Sequence, residues 1–235
     1  MTGANKGIGL SIAKGLAEQG MTVWLGARDL ERGEKAVAKL RNDGLDVRLL
    51  VIDVADDTSV SQAATRLSDE IATLHVLVNN AGILVDVTTP PGEVPMEAIQ
   101  STFEVNLSGP IRVTQAFIPL LKAAGDARVV MMGSGVGSLS LITDPTSLYS
   151  GVNLLDYTAS KVALSAVTVS FATELAPFGI KVNVVEPGHV RTDLNQNTDF
   201  ISPDEGAVTA IKMAIIGSDG RHVGSYEAMG GSPGK

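Results

Sequence analysis

Short apolar runs rich in β-branched residues alternate along almost the whole chain with longer stretches rich in alanine and charged residues. Four of the runs are apolar at nearly every position, which is typical of parallel strands covered on both faces. The longer stretches have the length and periodicity of helices, so the order along the chain is strand, helix, strand. This pattern predicts an α/β fold, a doubly wound parallel sheet in a single domain over residues 1–235.

The predicted elements follow from these runs. The strands are expected at residues 21–25, 47–52, 76–78, 128–132 and 181–185, with a weaker one at 224–228. The helices are expected at residues 7–19, 30–42, 59–72, 95–121, 157–176 and 203–216. Asp57 and Thr58 offer N-cap oxygens to the third helix, and Gly20 and Gly179 can end their helices in a left-handed conformation. Residues 133–156 lack a helical period and are expected to form an ordered loop beside a site.

The composition excludes several classes of protein. The absence of cysteine excludes a disulfide scaffold, a thiolate-bound metal centre and a cysteine nucleophile. Basic residues are scattered and the formal net charge is −8, so neither nucleic acid nor a membrane surface is an expected partner. No apolar run approaches the roughly 20 residues that span a bilayer, and a cytoplasmic location is expected. The three histidines lie far apart with no ligand spacing, so no metal site is expected.

A glycine-rich segment stands directly before the first predicted helix and reads Thr2-Gly3-Ala4-Asn5-Lys6-Gly7-Ile8-Gly9. Its glycines would let backbone N–H groups approach a pyrophosphate at the helix N-terminus, which predicts a Rossmann-type dinucleotide site. The spacing is G-x-x-x-G-x-G instead of the usual G-x-G-x-x-G, and tight turns alone explain such a cluster equally well. No apolar strand precedes this turn. The first strand is therefore expected to be missing, through truncation or a start assigned a few residues late.

Arg28 indicates the phosphorylated form of the dinucleotide. It stands about twenty residues after the glycines, where an NAD-selective site offers a carboxylate to the ribose 2′-hydroxyl. A guanidinium there suits a 2′-phosphate, and Lys6 adds a second cation. Asp29 could instead pair with solvent or a ribose, and Arg28 alone could be a solvated surface charge. The predicted cofactor is NADPH/NADP+.

Tyr157 and Lys161 stand four positions apart, so the phenol and the ammonium share one face of the predicted helix. An unperturbed tyrosine has a pKa of about 10, and a nearby ammonium and an oxidised nicotinamide both favour the phenolate. The pair is therefore a candidate for acid–base chemistry. Without a dinucleotide site, the same spacing would fit a packed tyrosine beside a lysine that reaches solvent.

Taken in order along nearly the whole chain, these residues resemble the short-chain dehydrogenase/reductase family. The matching segments are residues 2–9, Asp53, Asn79-Asn80-Ala81-Gly82, Asn106, Ser134, Tyr157 with Lys161, and Pro187-Gly188-His189-Val190-Arg191-Thr192. The segments 5–9 and 27–29 are similar to those of the NADPH-dependent carbonyl reductase branch. The resemblance implies reduction of a small or medium aldehyde or ketone to an alcohol, and it favours a homo-oligomer.

The resemblance also implies a role for each matching residue. Tyr157 would give a proton to the carbonyl oxygen, Lys161 would lower the Tyr157 pKa and hold the nicotinamide ribose, and Ser134 would hydrogen-bond the substrate oxygen. Asn106 would hold a water that links Lys161 to solvent. Asp53 alone could equally be a strand-end turn residue, and Asn106 a polar group at a helix kink. The implied cofactor-binding residues are Gly3, Asn5, Lys6, Gly7, Ile8, Gly9, Arg28, Asp53, Val54, Asn80, Ala81, Gly82, Tyr157, Lys161, Pro187, Gly188, Val190 and Thr192.

The region before Tyr157 departs from the family pattern. Ser134 precedes Tyr157 by 23 positions, a longer gap than most members have, so residues 141–153 are interpreted as an inserted loop. Gly133 stands where a second serine is common. Ser138 is a competitor for the catalytic hydroxyl, but Ser134, which directly follows a strand end, is the better match.

Two other functions fit parts of the pattern. A non-catalytic NADP(H)-binding regulatory protein would keep the fold and the glycine turn, but the joint presence of Ser134, Tyr157, Lys161 and Asn106 disfavours it. A dehalogenating lyase would use the serine and the tyrosine without a dinucleotide. The intact glycine turn and Lys161 disfavour that reading.

Overall fold

The strands of the computed structural model form two parallel sets. The structure describes residues 1–85, 87–195, 201–217 and 219–220, so the strand predicted at 224–228 lies outside the described residues. The first set pairs β1 with β2, and the second has the order β3-β4-β5. The strand bounds are β1 Val23–Ala27, β2 Val47–Val51, β3 Val76–Asn79, β4 Arg128–Met132 and β5 Lys181–Val185.

Residues 1–4 lie between the two sets and join them. The amide of Gly26 in β1 donates to the carbonyl of Met1 at 2.8 Å, and the amide of Thr2 donates to the carbonyl of Val78 in β3 at 2.9 Å. These residues therefore take the central place, which is where the sequence pattern expects the first strand. The resulting order is β2-β1-(1–4)-β3-β4-β5, and it confirms the predicted doubly wound parallel sheet.

Helices cover both faces of this sheet. On one face α1, α2 and α8 pack with Val130 and Met132 of β4, whereas α3, α5 and α7 pack with Val129 and Met131 on the other. Successive side chains of a strand point to opposite faces, which explains why β4 is apolar throughout. The helix bounds are α1 Gly7–Glu18, α2 Leu30–Asn42, α3 Asp57–Glu70, α4 Met96–Phe103, α5 Gly109–Ala124, α6 Leu139–Thr143, α7 Leu155–Leu175 and α8 Pro203–Ala214.

The predicted helix start near Asp57 is wrong by a short distance. Asp56 is the N-cap of α3, and its carboxylate accepts from the amide of Ser59 at 2.9 Å. Asp56, Asp57 and Thr58 all carry an oxygen suited to this role, so the local sequence does not select among them. The predicted left-handed stops are confirmed, since φ is +82° at Gly20 and +74° at Gly179.

Two segments near the carboxyl edge of the sheet differ from their predictions. The helix predicted at 95–121 contains a π-helical turn at Glu104–Ser108, between α4 and α5. The loop predicted at 133–156 contains a 3₁₀ turn at Gly135–Gly137 and the short helix α6. Ser138 is the N-cap of α6, and its side chain accepts from the amide of Leu141. The helix has only 5 residues, which is too short to show a helical period in the sequence.

Candidate active site

The glycine-rich turn lies against the end of β3. Gly3 has φ +61° and Gly7 has φ +54°, conformations that glycine adopts readily. A Cβ at Gly3 would stand 2.8 Å from the Cα of Ala81, and one at Gly9 would stand 2.5 Å from Nδ2 of Asn80. The glycines at 3 and 9 thus permit close contact within the protein, while α1 begins at Gly7 with its N-terminus at the cleft.

Hydrogen bonds hold this turn in place. Nδ2 of Asn80 donates to the carbonyls of Thr2 at 3.1 Å and of Gly3 at 2.9 Å. The amide of Ala81 donates to Oγ1 of Thr2 at 3.1 Å. The neighbouring Asn79 is buried and donates from Nδ2 to Oγ1 of Thr114 at 2.9 Å. Asn79 therefore bonds to α5 in the core, whereas Asn80 bonds to the glycine-rich turn.

A cleft of about 600 Å³ opens at this edge of the sheet. The predicted residues that line it are Gly3, Asn5, Lys6, Gly7, Ile8, Gly9, Arg28, Asp53, Val54, Asn80, Ala81, Gly82, Tyr157, Lys161, Pro187 and Thr192. Asp193, Leu194 and Pro203, from the segment after Thr192 that was expected at the pocket, also line the cleft. Lining residues that sequence reasoning missed are Ile52, Ile83, Leu84, Val105, Met132, Gly133 and Arg191. Several directly adjoin predicted residues, so extending each motif by one or two positions would have found them.

Charged groups surround the end of the cleft near β1. Arg28 is exposed there, and the carboxylate of the adjacent Asp29 caps α2 by accepting from the amide of Arg32 at 2.9 Å. Nζ of Lys6 lies 2.8 Å from a carboxylate oxygen of Asp193, and both side chains are well exposed. The ammonium of Lys6 is thus already paired with a carboxylate. Arg28 is therefore the stronger of the two candidates for binding a 2′-phosphate.

Asp53 makes the contact of a strand-end turn residue, and its contact with the adenine stays a prediction. Its Oδ1 accepts from the amide of Ala55 at 3.0 Å, which is the contact of a turn residue at a strand end. Asp53 also lines the cleft together with Val54.

Ser134 and Tyr157 meet at the inner end of the cleft. Ser134 follows β4 and Tyr157 lies in the first turn of α7, and the Ser134 side chain is close enough to the phenol to influence its pKa. Although the residue as a whole is partly exposed, burial of the hydroxyl raises the pKa of Tyr157 to about 12, and the nearby Ser134 side chain opposes this only in part. The sequence predicted a lowered pKa, so the protein's own groups act in the opposite direction.

Lys161 lies one helical turn from Tyr157 and is 5% exposed. Its Nζ donates to the carbonyl of Met132 at 2.8 Å and stands 5.5 Å from the centre of the Tyr157 ring. Burial lowers the pKa of Lys161 to about 8. Its ammonium therefore contacts the end of β4 and the ring of the tyrosine, which explains why it does not dominate the pKa of the phenol.

Asn106 lies in the π-helical turn and is buried. Its Oδ1 accepts from the amide of Ile83 at 2.8 Å, while its Nδ2 donates to the carbonyl of Ile83 at 2.9 Å and to Oγ of Ser160 at 3.3 Å. The side chain thus joins the bend between α4 and α5 to the end of β3 and to α7. The water-holding role implied for Asn106 stays a prediction.

The segment after β5 crosses the glycine-rich turn. The methyl group of Thr192 would stand 3.4 Å from a Cβ on Gly7. Gly188 has φ +80°. Val190 is buried, pairs with Ile201 and packs against α8, so its side chain does not line the cleft. Asn106, Ser134, Gly188 and Val190 are the predicted residues that lie beside the cleft and not in its wall.

A cluster that sequence reasoning missed lies behind Ser134. The hydroxyl of Tyr149 donates to a carboxylate oxygen of Glu186, and its ring stacks on His189 with centroids 5.0 Å apart. Glu186 is 4% exposed. The one signal in the sequence is a charged residue directly after the apolar strand β5.

Within the described residues, no group of three or more potential metal ligands lies together. The expectation of no metal stays a prediction. No helix in that part of the chain is long and apolar enough to cross a membrane.

The parallel sheet with a glycine-rich turn over its centre defines a Rossmann-type dinucleotide-binding fold. The sequence model of the short chain dehydrogenase family matches residues 1–200. The chain therefore belongs to the short-chain dehydrogenase/reductase family, which makes it a member of an oxidoreductase family and confirms the resemblance seen in its motifs.

Individual relatives agree with this assignment. The short-chain dehydrogenase anuI of Penicillium roqueforti is 33% identical over 93% of this chain and 88% of its own length. The (+)-neomenthol dehydrogenase of Arabidopsis thaliana is 31% identical over 92% and 90% of the two chains. The solved structure of salutaridine reductase from Papaver somniferum superposes with a TM-score of 0.83 at 26% identity, covering 97% of this chain and 98% of the other.

Proposed function

We propose that this protein is an NADPH-dependent reductase that converts a small or medium aldehyde or ketone into an alcohol. The observation that carries the proposal is that Tyr157 and Lys161, one turn apart in α7, both line the cleft, with the Ser134 side chain beside the phenol. This group lies at the inner end of the same cleft that Arg28 and the glycine-rich turn border.

The residues of the cleft fit NADPH. The N-terminus of α1 at Gly7 presents backbone N–H groups and a positive dipole end, which suit the pyrophosphate. Arg28 would pair with the 2′-phosphate, and Asp53 and Val54 would contact the adenine. Lys161 would hold the nicotinamide ribose. Pro187, Gly188, Val190 and Thr192 would bind the carboxamide and the pyrophosphate, Val190 through its backbone.

Tyr157 and Ser134 would act on the substrate. A nicotinamide held in the cleft would supply a hydride for the carbonyl carbon. Tyr157 donates its phenolic proton to the carbonyl oxygen, so that hydride and proton together complete the alcohol. With a pKa well above neutral, the phenol of Tyr157 carries the proton that this direction requires. Ser134 donates to the same oxygen and orients the carbonyl.

The names of similar proteins support redox chemistry at a carbonyl or alcohol. They include a neomenthol dehydrogenase and, at 30% identity, the salutaridine reductase of Papaver bracteatum. An alcohol dehydrogenase from Thermococcus sibiricus, 26% identical with a TM-score of 0.82, was solved with 5-hydroxy-NADP. A homo-oligomer, a cytoplasmic location and a single domain over residues 1–235 remain part of the proposal.

The test is a coupled measurement of binding and turnover with the full chain. NADPH is titrated by its fluorescence, and loss of its near-ultraviolet absorbance is then followed with a panel of aldehydes and ketones. The expected result is tight NADPH binding and turnover of at least one carbonyl compound. Tight binding without any turnover would favour the non-catalytic regulatory protein, and no binding would contradict both.

A further inference from the structure

The backbone around Ser134 consists largely of glycine. The segment reads Gly133-Ser134-Gly135-Val136-Gly137, and glycine restricts the backbone less than any other residue. A catalytic hydroxyl must nevertheless be held in a narrow range of positions, because a displacement of about 1 Å can cost roughly a hundredfold in rate. The 3₁₀ turn supplies one local restraint, the bond from the Gly137 amide to the Ser134 carbonyl at 2.8 Å, and contacts from other parts of the chain supply the rest.

Each glycine beside Ser134 is in close contact with another segment. A Cβ on Gly133 would stand 2.6 Å from Cγ2 of Val184 in β5. A Cβ on Gly135 would overlap the ring of Tyr149 and stand 2.6 Å from Oε1 of Glu186. The ring of Tyr149 thus fills the space that a side chain at position 135 would take.

The Tyr149 ring is itself held on two sides. Its hydroxyl donates to the buried carboxylate of Glu186, the residue that follows β5. Its face stacks on His189, with 18° between the two ring planes. Tyr149 belongs to the inserted segment 141–153, so one side chain joins that insertion to the ends of β4 and β5. Leu148, its neighbour in sequence, is 75% exposed.

We propose that Tyr149 is a positioning residue that holds the backbone at Gly135 and thereby keeps the Ser134 hydroxyl against Tyr157. The inference rests on the proposed function of Ser134. Glu186 and His189 fix the ring, and the ring restrains the glycine next to the catalytic serine. Tyr149 itself donates to Glu186 and takes no part in the chemistry.

The experiment compares three variants of the full chain. Tyr149→Ala removes the ring and is expected to lower kcat about a hundredfold. Tyr149→Phe keeps the ring against Gly135 and His189 and loses the bond to Glu186, so it should recover most of the loss and stay within about tenfold of wild type. The control Leu148→Ala should match wild type. The Kd for NADPH should stay within about twofold in all three, because the restraint acts on the serine and not on the glycine turn.

Amide hydrogen exchange of residues 133–137 gives a second readout that does not need activity. Exchange should be faster in Tyr149→Ala than in Leu148→Ala. Equal kcat in Tyr149→Ala and wild type would overturn the inference, as would a parallel loss of kcat and of NADPH affinity. Absence of turnover in wild type would contradict the proposed function instead. In that case faster exchange would still support the restraint by Tyr149, and unchanged exchange would overturn it.

Discussion

The two ends of the cleft are built in different ways. At the cofactor end, the glycine-rich turn is held by contacts to its backbone, chiefly from Asn80 to the carbonyls of Thr2 and Gly3. At the catalytic end, contacts between side chains are added to those with the backbone, as in the bond between Tyr149 and Glu186. Backbone contacts tolerate many changes of side chain, whereas a site made of side chains can lose its chemistry with one atom. Substitutions at the two ends should therefore separate cofactor affinity from turnover.

The largest separation is expected for Tyr157→Phe, which removes only the phenolic oxygen. With no proton donor at the carbonyl oxygen, kcat should fall about a thousandfold. The Kd for NADPH should change less than about twofold, since the glycine turn and Arg28 are untouched. Steady-state kinetics and fluorescence titration measure the two quantities. Retention of kcat within tenfold would show that another group supplies the proton.

A somewhat smaller effect is expected at the serine. Ser134→Ala should lower kcat about a hundredfold because it removes a donor to the developing charge on the substrate oxygen. The matched control is Ser138→Ala, because Ser138 caps the short helix α6 and its hydroxyl lies 2.9 Å from that of Ser140. The control should keep kcat within about threefold. If Ser138→Ala loses turnover while Ser134→Ala keeps it, the roles of the two serines are reversed.

The opposite pattern is expected at the cofactor end. Arg28→Ala should raise the KM for NADPH about thirtyfold, because a charge-assisted hydrogen bond to the 2′-phosphate is lost, and should leave the KM for NADH nearly unchanged. The kcat at saturating NADPH should stay close to wild type. Arg32→Ala is the control, since Arg32 lies in the first turn of α2 and its side chain is 70% exposed. Equal effects of Arg28→Ala on both cofactors would contradict the assignment of the 2′-phosphate.

The contrast between the two ends also explains what the sequence could predict. The bounds of α2, β4 and β5 agree with their predictions because hydrophobic pattern and local stop signals determine them. The glycine turn was predictable for a similar reason, since it acts through backbone geometry that only certain residues permit.

The properties that could not be predicted from the sequence depend on tertiary contacts. The raised pKa of Tyr157 comes from burial of its hydroxyl, which arises only once the chain has folded. The bond between Tyr149 and Glu186 joins residues 37 positions apart, and no local pattern indicates it. The ion pair of Lys6 with Asp193 spans 187 positions, so the sequence could place the cation in the turn but not name its partner. Sequence spacing therefore specifies which groups are present and the fold specifies their charge state.

Lys161 lies at the catalytic end, and its charge state gives the smallest expected effect. Burial lowers its pKa from 10.5 to about 8, so below pH 8 the folded protein carries a buried ammonium at a cost of about 3 kcal/mol. Between pH 8 and pH 10.5 the unfolded chain binds more protons at this site than the folded one, so the cost declines as the pH rises. Lys161→Met removes the charge together with the 2.8 Å hydrogen bond to Met132.

The Lys161→Met variant should accordingly be about 1 kcal/mol more stable than wild type at pH 7, since the lost hydrogen bond offsets most of the relieved burial cost. Its advantage should decline by about 2 kcal/mol by pH 9.5, where more than half of the wild-type cost has disappeared. Urea unfolding of both proteins at the two pH values measures this difference, and NADPH turnover should be lost in the variant at either pH. A difference in stability that does not change with pH would mean that the folded protein does not hold a lysine of lowered pKa at this position. The buried ammonium of Lys161 would then not lower the free energy of unfolding, and the catalytic end would carry no such cost in stability.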